Sequence, residues 1–295
     1  MLTIRTDLAA EAHQLWRRRA GETTALPGVA AGEEVLEGLP VTRVEILDQE
    51  GARALGKPVG RYYTLDVSAL WRREEEAPRR CARAAAALLR PLLPEEGLVL
   101  AAGLGNRSMT PDALGPLTAG QLLVTRHLGE ALPGLRPVAA LAAGVLGDTG
   151  LEAAEWIRGA AERIRPAAVV AVDALAAGDL ERLCASVQIS DAGLIPGSGV
   201  GNHRKALTEE ALGAPVISVG VPTVVDAATV AVHILEEAGR PPEDCAALRG
   251  RGSRLFVTPD AIDRQVRELA AVLARGLSLA LQPELAYEDL EALLA

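Results

Sequence analysis

Cysteine is scarce in this sequence, and the few cysteines present are not placed to share a site. Cys81, Cys184 and Cys245 are the only three, and no C-x-x-C spacing occurs. This usage argues against a disulfide framework and against a zinc site, and it is typical of a reducing compartment. We therefore expect thiols that act as small apolar side chains.

Long apolar runs are absent as well. No stretch of eighteen apolar residues occurs, so no membrane-spanning helix is predicted. The opening residues, MLTIRTDLAAEAH, are polar and acidic where a signal peptide needs an apolar segment, which predicts a cytoplasmic protein. The net charge of −9 at pH 7 argues against direct binding to nucleic acid.

Histidine is equally rare. His13, His127, His203 and His233 are the only four, and they do not fall at metal-ligand spacing. His233 lies in an apolar helical stretch, where packing is the expected role. His203 alone adjoins a glycine-rich segment, and a solvent-exposed position is the commoner fate of such a residue. No metal site is predicted.

Strand-like and helix-like segments alternate along the chain. With 295 residues, 49% of them hydrophobic, the chain can bury a large core. Alternation predicts a single α/β domain over residues 1–295, with a mostly parallel open sheet and helices on both faces. A small β extension is predicted near residues 40–68, with Gly51 and Gly60 at its turns. The predicted core strands are 98–102, 168–172 and 215–219, and the predicted helices are 6–20, 79–93, 115–128, 151–164, 178–185, 227–236 and 260–281.

An aspartate follows each predicted core strand. Asp112 follows the first, Asp173 the second and Asp226 the third. Ligands of open α/β sheets bind in the crevice beyond the carboxyl ends of the strands. Carboxylates that converge there could share a proton, hold a metal or polarise a water.

Each aspartate also has a purely structural interpretation. Asp112 and Asp226 both precede helical stretches, so each could stabilise a helix N-terminus. We favour that role for Asp226 and leave it open for Asp112. Asp173 directly ends an apolar strand, and a buried carboxylate is costly unless it is paired or protonated. Asp173 therefore needs a partner or a chemical role.

A glycine-rich segment, PGSGVGN at residues 196–202, has no standard nucleotide or nucleophile motif. It lacks the third glycine of G-x-G-x-x-G, and Ser198 lacks the flanking glycines of G-x-S-x-G. We predict a tight loop whose backbone approaches a ligand or a neighbouring chain.

Six blocks of the sequence resemble the spore germination protease family. In order they are RTDLAAEA, LAAGLGNRSMTPDALGP, VVAVDALAA, QISDAGLIPGSGVGNHRK, PVISVGVPTVVDA and LFVTPDAIDRQVRELA, and they span nearly the whole chain. The resemblance implies an aspartic endopeptidase related in fold to hydrogenase maturation proteases. Such an enzyme begins the degradation of small acid-soluble spore proteins, which coat spore DNA, when the spore germinates.

The resemblance also implies the site residues. The family's two functional aspartates fall in TPDALGP and DALAA, which makes them Asp112 and Asp173 here. Two adjacent carboxyls share one proton, so the charged one can activate water and the protonated one can polarise the peptide carbonyl. Which aspartate takes which part is left open. Asn106 is interpreted as helping to hold the oxyanion, and the residues interpreted as lining the peptide groove are Gly197, Ser198, Gly199 and Asn202.

No cofactor and no metal are implied. The implied partners are the small acid-soluble spore proteins as substrates and further copies of the chain in a homo-oligomer, a tetramer by resemblance, in the spore core. Two alternatives stay open. One is a metal-dependent hydrolase or a maturation protease of the same fold that reads a bound metal. The other is a binding protein without catalysis.

Family members are generally made as inactive precursors that lose a short N-terminal segment. Here only residues 1–4 precede the RTDLAAEA block, and none of the four is acidic like the family's preferred cleavage site. We therefore expect that no pro-segment of the usual length holds this chain inactive.

Overall fold

The structure is a computed structural model that describes residues 6–20, 25–129, 134–197, 204–239 and 255–294. Its strands are Val29–Leu36 (β1), Leu39–Ile46 (β2), Gly60–Asp66 (β3), Val99–Leu104 (β4), Val138–Gly144 (β5), Ala168–Ala177 (β6), Ser186–Ser190 (β7), Val216–Asp226 (β8) and Phe256–Val257 (β9). Its helices are Ala9–Ala20 (α1), Gln49–Leu55 (α2), Ala77–Leu89 (α3), Leu114–Ala119 (α4), Leu146–Thr149 (α5), Ala153–Ile164 (α6), Glu209–Leu212 (α7), Ala227–Glu237 (α8), Ile262–Leu281 (α9) and Tyr287–Leu294 (α10).

One open sheet contains all the described strands. Its order is β1-β2-β3-β7-β8-β6-β4-β5, with β9 paired to β8. Strands β8, β6, β4 and β5 are parallel neighbours, and the remaining pairs are antiparallel. This arrangement confirms the predicted open sheet with a parallel core.

Helices cover both faces of the sheet, as predicted. Strand β4 is buried along its whole length, as are nearly all residues of β6 and β8, because parallel strands are packed from both sides. Helices α3, α4 and α9 pack against one face, and α6 and α7 against the other. Among the described residues, every helix is too short or too polar to span a membrane.

The predicted β extension is confirmed, but it begins earlier than residue 40. Strand β1 pairs with β2 over the full length of both strands, although most of its residues are exposed and show no apolar alternation. Helices α1 and α2 cover β2 and β3 through a separate small core. The turn predicted at Gly51 is wrong, because Gly51 lies inside α2.

Two predicted core strands are too short. Strand β6 was predicted to end at Val172, yet it continues through Asp173 to Ala177, and β8 likewise continues to Asp226. The two strands hydrogen-bond to each other along these added residues. Their pairing runs from Val169 to Ala177 of β6, with one irregularity after Leu175. Strand β4, by contrast, stops at Leu104. Asp173 therefore lies inside a strand, at the point where β6 runs on past β4.

Two predicted helices are also wrong. The helix predicted over 115–128 ends at Ala119, and the chain continues without regular structure. The segment predicted as a helix over 178–185 holds only a short 3-10 turn, Leu180–Arg182, followed by β7. Strand β7 reads SVQIS and is fully buried, whereas the sequence predicts only a broken strand over ASVQISDAGLIP, because three of these five residues are polar. Strand β5 is not predicted, because its sequence, VAALAAG, is mostly alanine.

The described cysteines behave as predicted. Cys81 and Cys184 are buried and unpaired, and burial raises the pKa of each thiol to about 12. Both therefore pack as neutral apolar groups. Cys245 lies outside the described residues.

A buried glutamate ties the N-terminal segment to the end of β6. Glu11 is 3% exposed, and its carboxylate accepts hydrogen bonds from the Thr6 hydroxyl and, at 2.7 Å, from the Gly178 N–H. No described residue hydrogen-bonds its other oxygen. Burial raises the pKa of Glu11 from 4.5 to about 7. The protonated carboxyl is thus the form that the fold favours.

This environment predicts how stability depends on pH. The stability contributed by protonated Glu11 is complete below pH 4.5 and is lost as pH rises through about 7. Glu11→Gln removes the charge and keeps an acceptor for Gly178. The variant should therefore gain stability relative to the parent between pH 5 and pH 8, by on the order of 3 kcal/mol. Urea unfolding at both pH values measures the difference, and an equal destabilisation at both would contradict a neutral buried carboxyl.

Candidate active site

Asp112 and Asp173 line the same cavity, which has a volume of about 350 Å³. The cavity lies where β4 ends and β6 and β8 continue, which is the crevice that open parallel sheets use for ligands. Its floor and walls come from β6, β8, the β4–α4 loop, the β5–α5 junction and the N-terminal segment. The residues that line it are Asp7, Leu104, Gly105, Met109, Pro111, Asp112, Gly144, Val145, Ala153, Asp173, Ala174, Leu175, Ala176, Pro196, Gly197, Arg204, Thr223, Val224, Phe256 and Thr258.

Asp173 is the buried member of the pair. Alternation along β6 puts its side chain on the same face as Val169 and Ala171, toward α6. The side chain is 6% exposed, and one carboxyl oxygen accepts the N–H of Ala174 at 3.0 Å. Burial, and after it the negative charges of Asp112 and Asp7, raise the pKa of Asp173 to about 8. Asp173 is therefore mainly protonated at neutral pH.

Asp112 is half-buried and accepts a stronger hydrogen bond. It ends the 3-10 turn Thr110–Asp112, and its carboxylate accepts the N–H of Asn106 at 2.7 Å. Burial raises the pKa of Asp112, while that N–H and the charge of Arg204 act in the opposite direction. Helix α4 has no side-chain cap, so the helix-cap interpretation of Asp112 is wrong. The carboxylate points back into its own loop.

Two glycines let this loop approach β6. At Gly105, with φ at +109°, an added Cβ would lie 2.0 Å from the carbonyl oxygen of Asp112. At Gly115 an added Cβ would lie 2.3 Å from the carbonyl oxygen of Leu104 and 2.4 Å from that of Val172. No side chain fits at either position. The backbone of the Asp112 turn can therefore pack directly against the end of β4 and the residue before Asp173.

Hydrogen bonds from threonine hydroxyls link the same loop to β8 and α9. The buried Thr223 hydroxyl donates to the Pro111 carbonyl at 2.6 Å, and Thr258 donates to the Thr223 carbonyl at 3.0 Å. Thr110 donates to the carboxylate of Asp263 at 2.7 Å. Sequence reasoning missed all of these contacts, because each joins segments that are far apart in the chain.

Two charged residues of the cavity were also missed. Asp7 stands in the RTDLAAEA block, and its carboxylate accepts the Ala176 N–H at 2.9 Å. Arg204 stands beside His203 in the GVGNHRK stretch and acts on both Asp112 and Asp173 by its positive charge. The cavity therefore combines three carboxyl groups with one guanidinium. The only sequence signal for either residue was its place in a block of family resemblance.

The other predicted site residues fall in different places. The N–H of Asn106 is engaged by Asp112, and its side-chain oxygen accepts the Ser108 N–H at 2.8 Å. Asp226 does not line the cavity, and its carboxylate accepts the Ala228 N–H at 2.8 Å, in the first turn of α8. This agrees with the helix-terminus role favoured for Asp226.

Part of the glycine-rich segment can be assigned to the cavity. Gly197 lines it, next to Pro196. Ser198, Gly199 and Asn202 lie outside the described residues, as does His203. Contact of this segment with a peptide stays a prediction.

Metal ligation was one open alternative for the carboxylates. Within the described ranges, no three His, Cys, Asp or Glu side chains are placed to hold a metal ion. Asp112 and Asp173 instead line one cavity with unequal burial, and the negative charge of Asp112 helps to raise the pKa of Asp173. A pair of this kind can hold one proton between its members and hydrogen-bond a water or a carbonyl.

The known proteins to which this chain is similar in sequence are germination proteases. The chain matches the family model described as germination protease over residues 8–240. It is 41% identical to the germination protease of Caldanaerobacter subterraneus subsp. tengcongensis, with 100% of this chain and 99% of that protein covered. It is 40% identical to the germination protease of Clostridium perfringens (strain ATCC 13124), with 100% of both covered, and 36% identical to that of Bacillus cytotoxicus, with 97% and 95% covered.

A solved structure is also similar to part of the chain. It is a nickel–iron hydrogenase maturation protease, HycI, from Thermococcus kodakarensis KOD1. The match has a TM-score of 0.37 at 20% sequence identity and covers 64% of this chain and 98% of that protein.

The close approach at Gly115 can be tested by stability. Gly115→Ala must displace the backbone of β4 or β6 and should lower the free energy of unfolding by about 2 kcal/mol or more. Gly159→Ala is the matched control, because Gly159 is exposed in α6 and an added Cβ would meet no atom within 4 Å. The control should gain about 0.5–1 kcal/mol from helix propensity. Urea unfolding measures both, and a Gly115→Ala variant as stable as the parent would contradict the packing described.

Proposed function

The chain belongs to the germination protease family, and from this premise we propose that it is an endopeptidase that works through the paired carboxyls of Asp112 and Asp173. The single observation that carries the proposal is the shared cavity, in which the buried Asp173, with a pKa that burial raises to about 8, accompanies the more exposed Asp112. A protonated and an ionised carboxyl side by side are the two groups that peptide hydrolysis by an aspartate pair requires.

The environments of the two groups support a division of roles. Asp112 is the partly exposed member, and the Asn106 N–H and the Arg204 charge both stabilise its ionised form. It therefore serves as the general base that takes a proton from the attacking water. Asp173 is the general acid. It hydrogen-bonds the peptide carbonyl oxygen while the water oxygen bonds to the carbonyl carbon, and its proton passes to the leaving nitrogen as the carbon–nitrogen bond breaks.

The substrate and the setting of the proposal come from the family. We propose that the substrates are small acid-soluble spore proteins, cleaved in the spore core at the start of germination by a homo-oligomer of this chain. A peptide must be extended to lay its carbonyl between two carboxyls at the end of a sheet. A substrate clamped on DNA as a folded helix should therefore be cleaved more slowly than the free chain.

Conservative variants test the pair. Asp112→Asn and Asp173→Asn are each expected to reduce digestion of a small acid-soluble spore protein at least about 1000-fold, because the shared proton needs both carboxyls. Asp226→Asn is the matched control, since asparagine can still accept the Ala228 N–H, and it should retain most activity. Circular dichroism should show all three variants folded. A folded Asp112→Asn or Asp173→Asn variant with substantial activity would overturn the pair.

The rate should also depend on pH in a defined way. Because the pKa of Asp173 is raised to about 8, kcat/KM should fall as pH rises through that value and the general acid loses its proton. At low pH the rate should fall again as Asp112 becomes protonated. Rates measured from pH 4 to pH 10, with recovery on return to pH 7 as a check for unfolding, give the profile. A rate that stays constant from pH 7 to pH 10 would contradict the assignment of Asp173.

A further inference from the structure

A third carboxyl group, that of Asp7, lines the cavity of the proposed pair. It comes from the segment that precedes α1, not from the sheet. The Asp7 N–H donates to the Ala176 carbonyl at 3.0 Å, and the Ala176 N–H donates to the Asp7 carboxylate at 2.9 Å. This two-point contact lies three residues beyond Asp173 on β6. The position of the Asp7 carboxylate is therefore fixed by the strand that carries Asp173.

Buried polar groups hold the Asp7 backbone from the other side. The Gln188 side chain of β7 donates to the Asp7 carbonyl at 3.0 Å and accepts the Ala9 N–H at 2.7 Å. Lys57 donates to the Thr6 carbonyl at 2.9 Å. These contacts span three separate elements and converge on one short segment. Together they hold the backbone of this segment, while the Ala176 N–H holds the Asp7 carboxylate.

The charges around Asp173 give this position a consequence. Three charged residues line the cavity together with Asp173 and act on it by their charge. Asp112 belongs to the β4–α4 loop, Asp7 to the N-terminal segment, and Arg204 to the segment that precedes α7. Asp7 and Asp112 raise the pKa of Asp173, and Arg204 acts against them. Burial lowers the pKa of Lys57, while its interactions with the negative charges of Asp7 and Glu11 act in the opposite direction.

We propose that Asp7 is a positioning residue of the active site, whose fixed negative charge beside β6 keeps the proton on Asp173. The inference rests on the proposed function, because it concerns the proton that the aspartate pair shares. Asp7 acts through Asp173 and takes no part in proton transfer itself. The N-terminal segment thus completes the electrostatic environment of the site.

The test is the alkaline limb of the pH–rate profile. Asp7→Asn keeps an oxygen to accept the Ala176 N–H and removes the charge. Loss of a neighbouring negative charge lowers the pKa of Asp173, so the limb should move to lower pH by about 1 unit. Asp7→Glu retains the charge and should leave the limb near its wild-type position. Asp48→Asn is the matched control. Asp48 also accepts backbone N–H groups, those of Glu50 and Gly51, but it does not line the cavity. Removing the Asp48 charge should therefore leave the alkaline limb of the pH–rate profile where it is.

Each outcome decides the proposal. The proposal is supported if the alkaline limb moves to lower pH in Asp7→Asn and does not move in Asp48→Asn. A lower rate with the limb unmoved would show a purely structural contact and overturn it, as would an unchanged profile. If Asp7→Asn does not fold, Asp7→Ser removes the charge with a hydroxyl acceptor in place and must show the same shift. If Asp112→Asn and Asp173→Asn are active, the paired-aspartate function fails. If they are inactive and the limb does not move, only the role of Asp7 fails.

Discussion

The burial of the Asp173 carboxyl inside the β sheet is the constraint on which the rest of the site depends. Asp173 is 6% exposed, and an ionised carboxylate in such a place would cost several kcal/mol. Protonation removes most of that cost, and two nearby carboxyls strengthen the preference for the neutral form. The fold thus holds at neutral pH an acid that would be ionised in water. General acid chemistry needs such a group.

The rest of the site brings a second carboxyl to the same cavity as this acid. Strand β4 ends at Leu104 while β6 continues, which opens the crevice. Gly105 and Gly115 then allow the loop backbone to close on β6, and Thr223 holds the loop from β8. Asp112 ends this loop with a hydrogen bond that favours its charged form. The two carboxyls therefore have unequal surroundings, since Asp173 is buried and Asp112 is only half-buried.

Much of this could be predicted from the sequence, and the misses have physical causes. Apolar runs and their spacing were enough to predict a parallel core with helices on both faces. The sequence predicts the strand at Asp173 too short, because a charged residue commonly marks the end of an apolar strand. Its continuation depends on pairing with β8, a long-range contact. Strand β7 is predicted only as a broken strand for a related reason, since its polar residues are buried by tertiary contacts that its composition does not indicate.

Some residues of the site are predicted from the sequence, and others are found only in the structure. Asp112 and Asp173 stand in blocks that resemble a known family, and the structure brings them to one cavity. Asp7 and Thr223 stand in such blocks too, but nothing in the sequence assigns them a role, because their contacts form only when distant segments meet.

The most direct measurement of the central claim is the titration of the Asp173 carboxyl itself. Carbon-13 NMR of aspartate-labelled protein, with the Asp173 signal assigned through Asp173→Asn, follows its protonation. The expected result is an Asp173 carboxyl that is protonated at pH 6 and titrates near pH 8. An Asp173 carboxyl already ionised at pH 6 would contradict it.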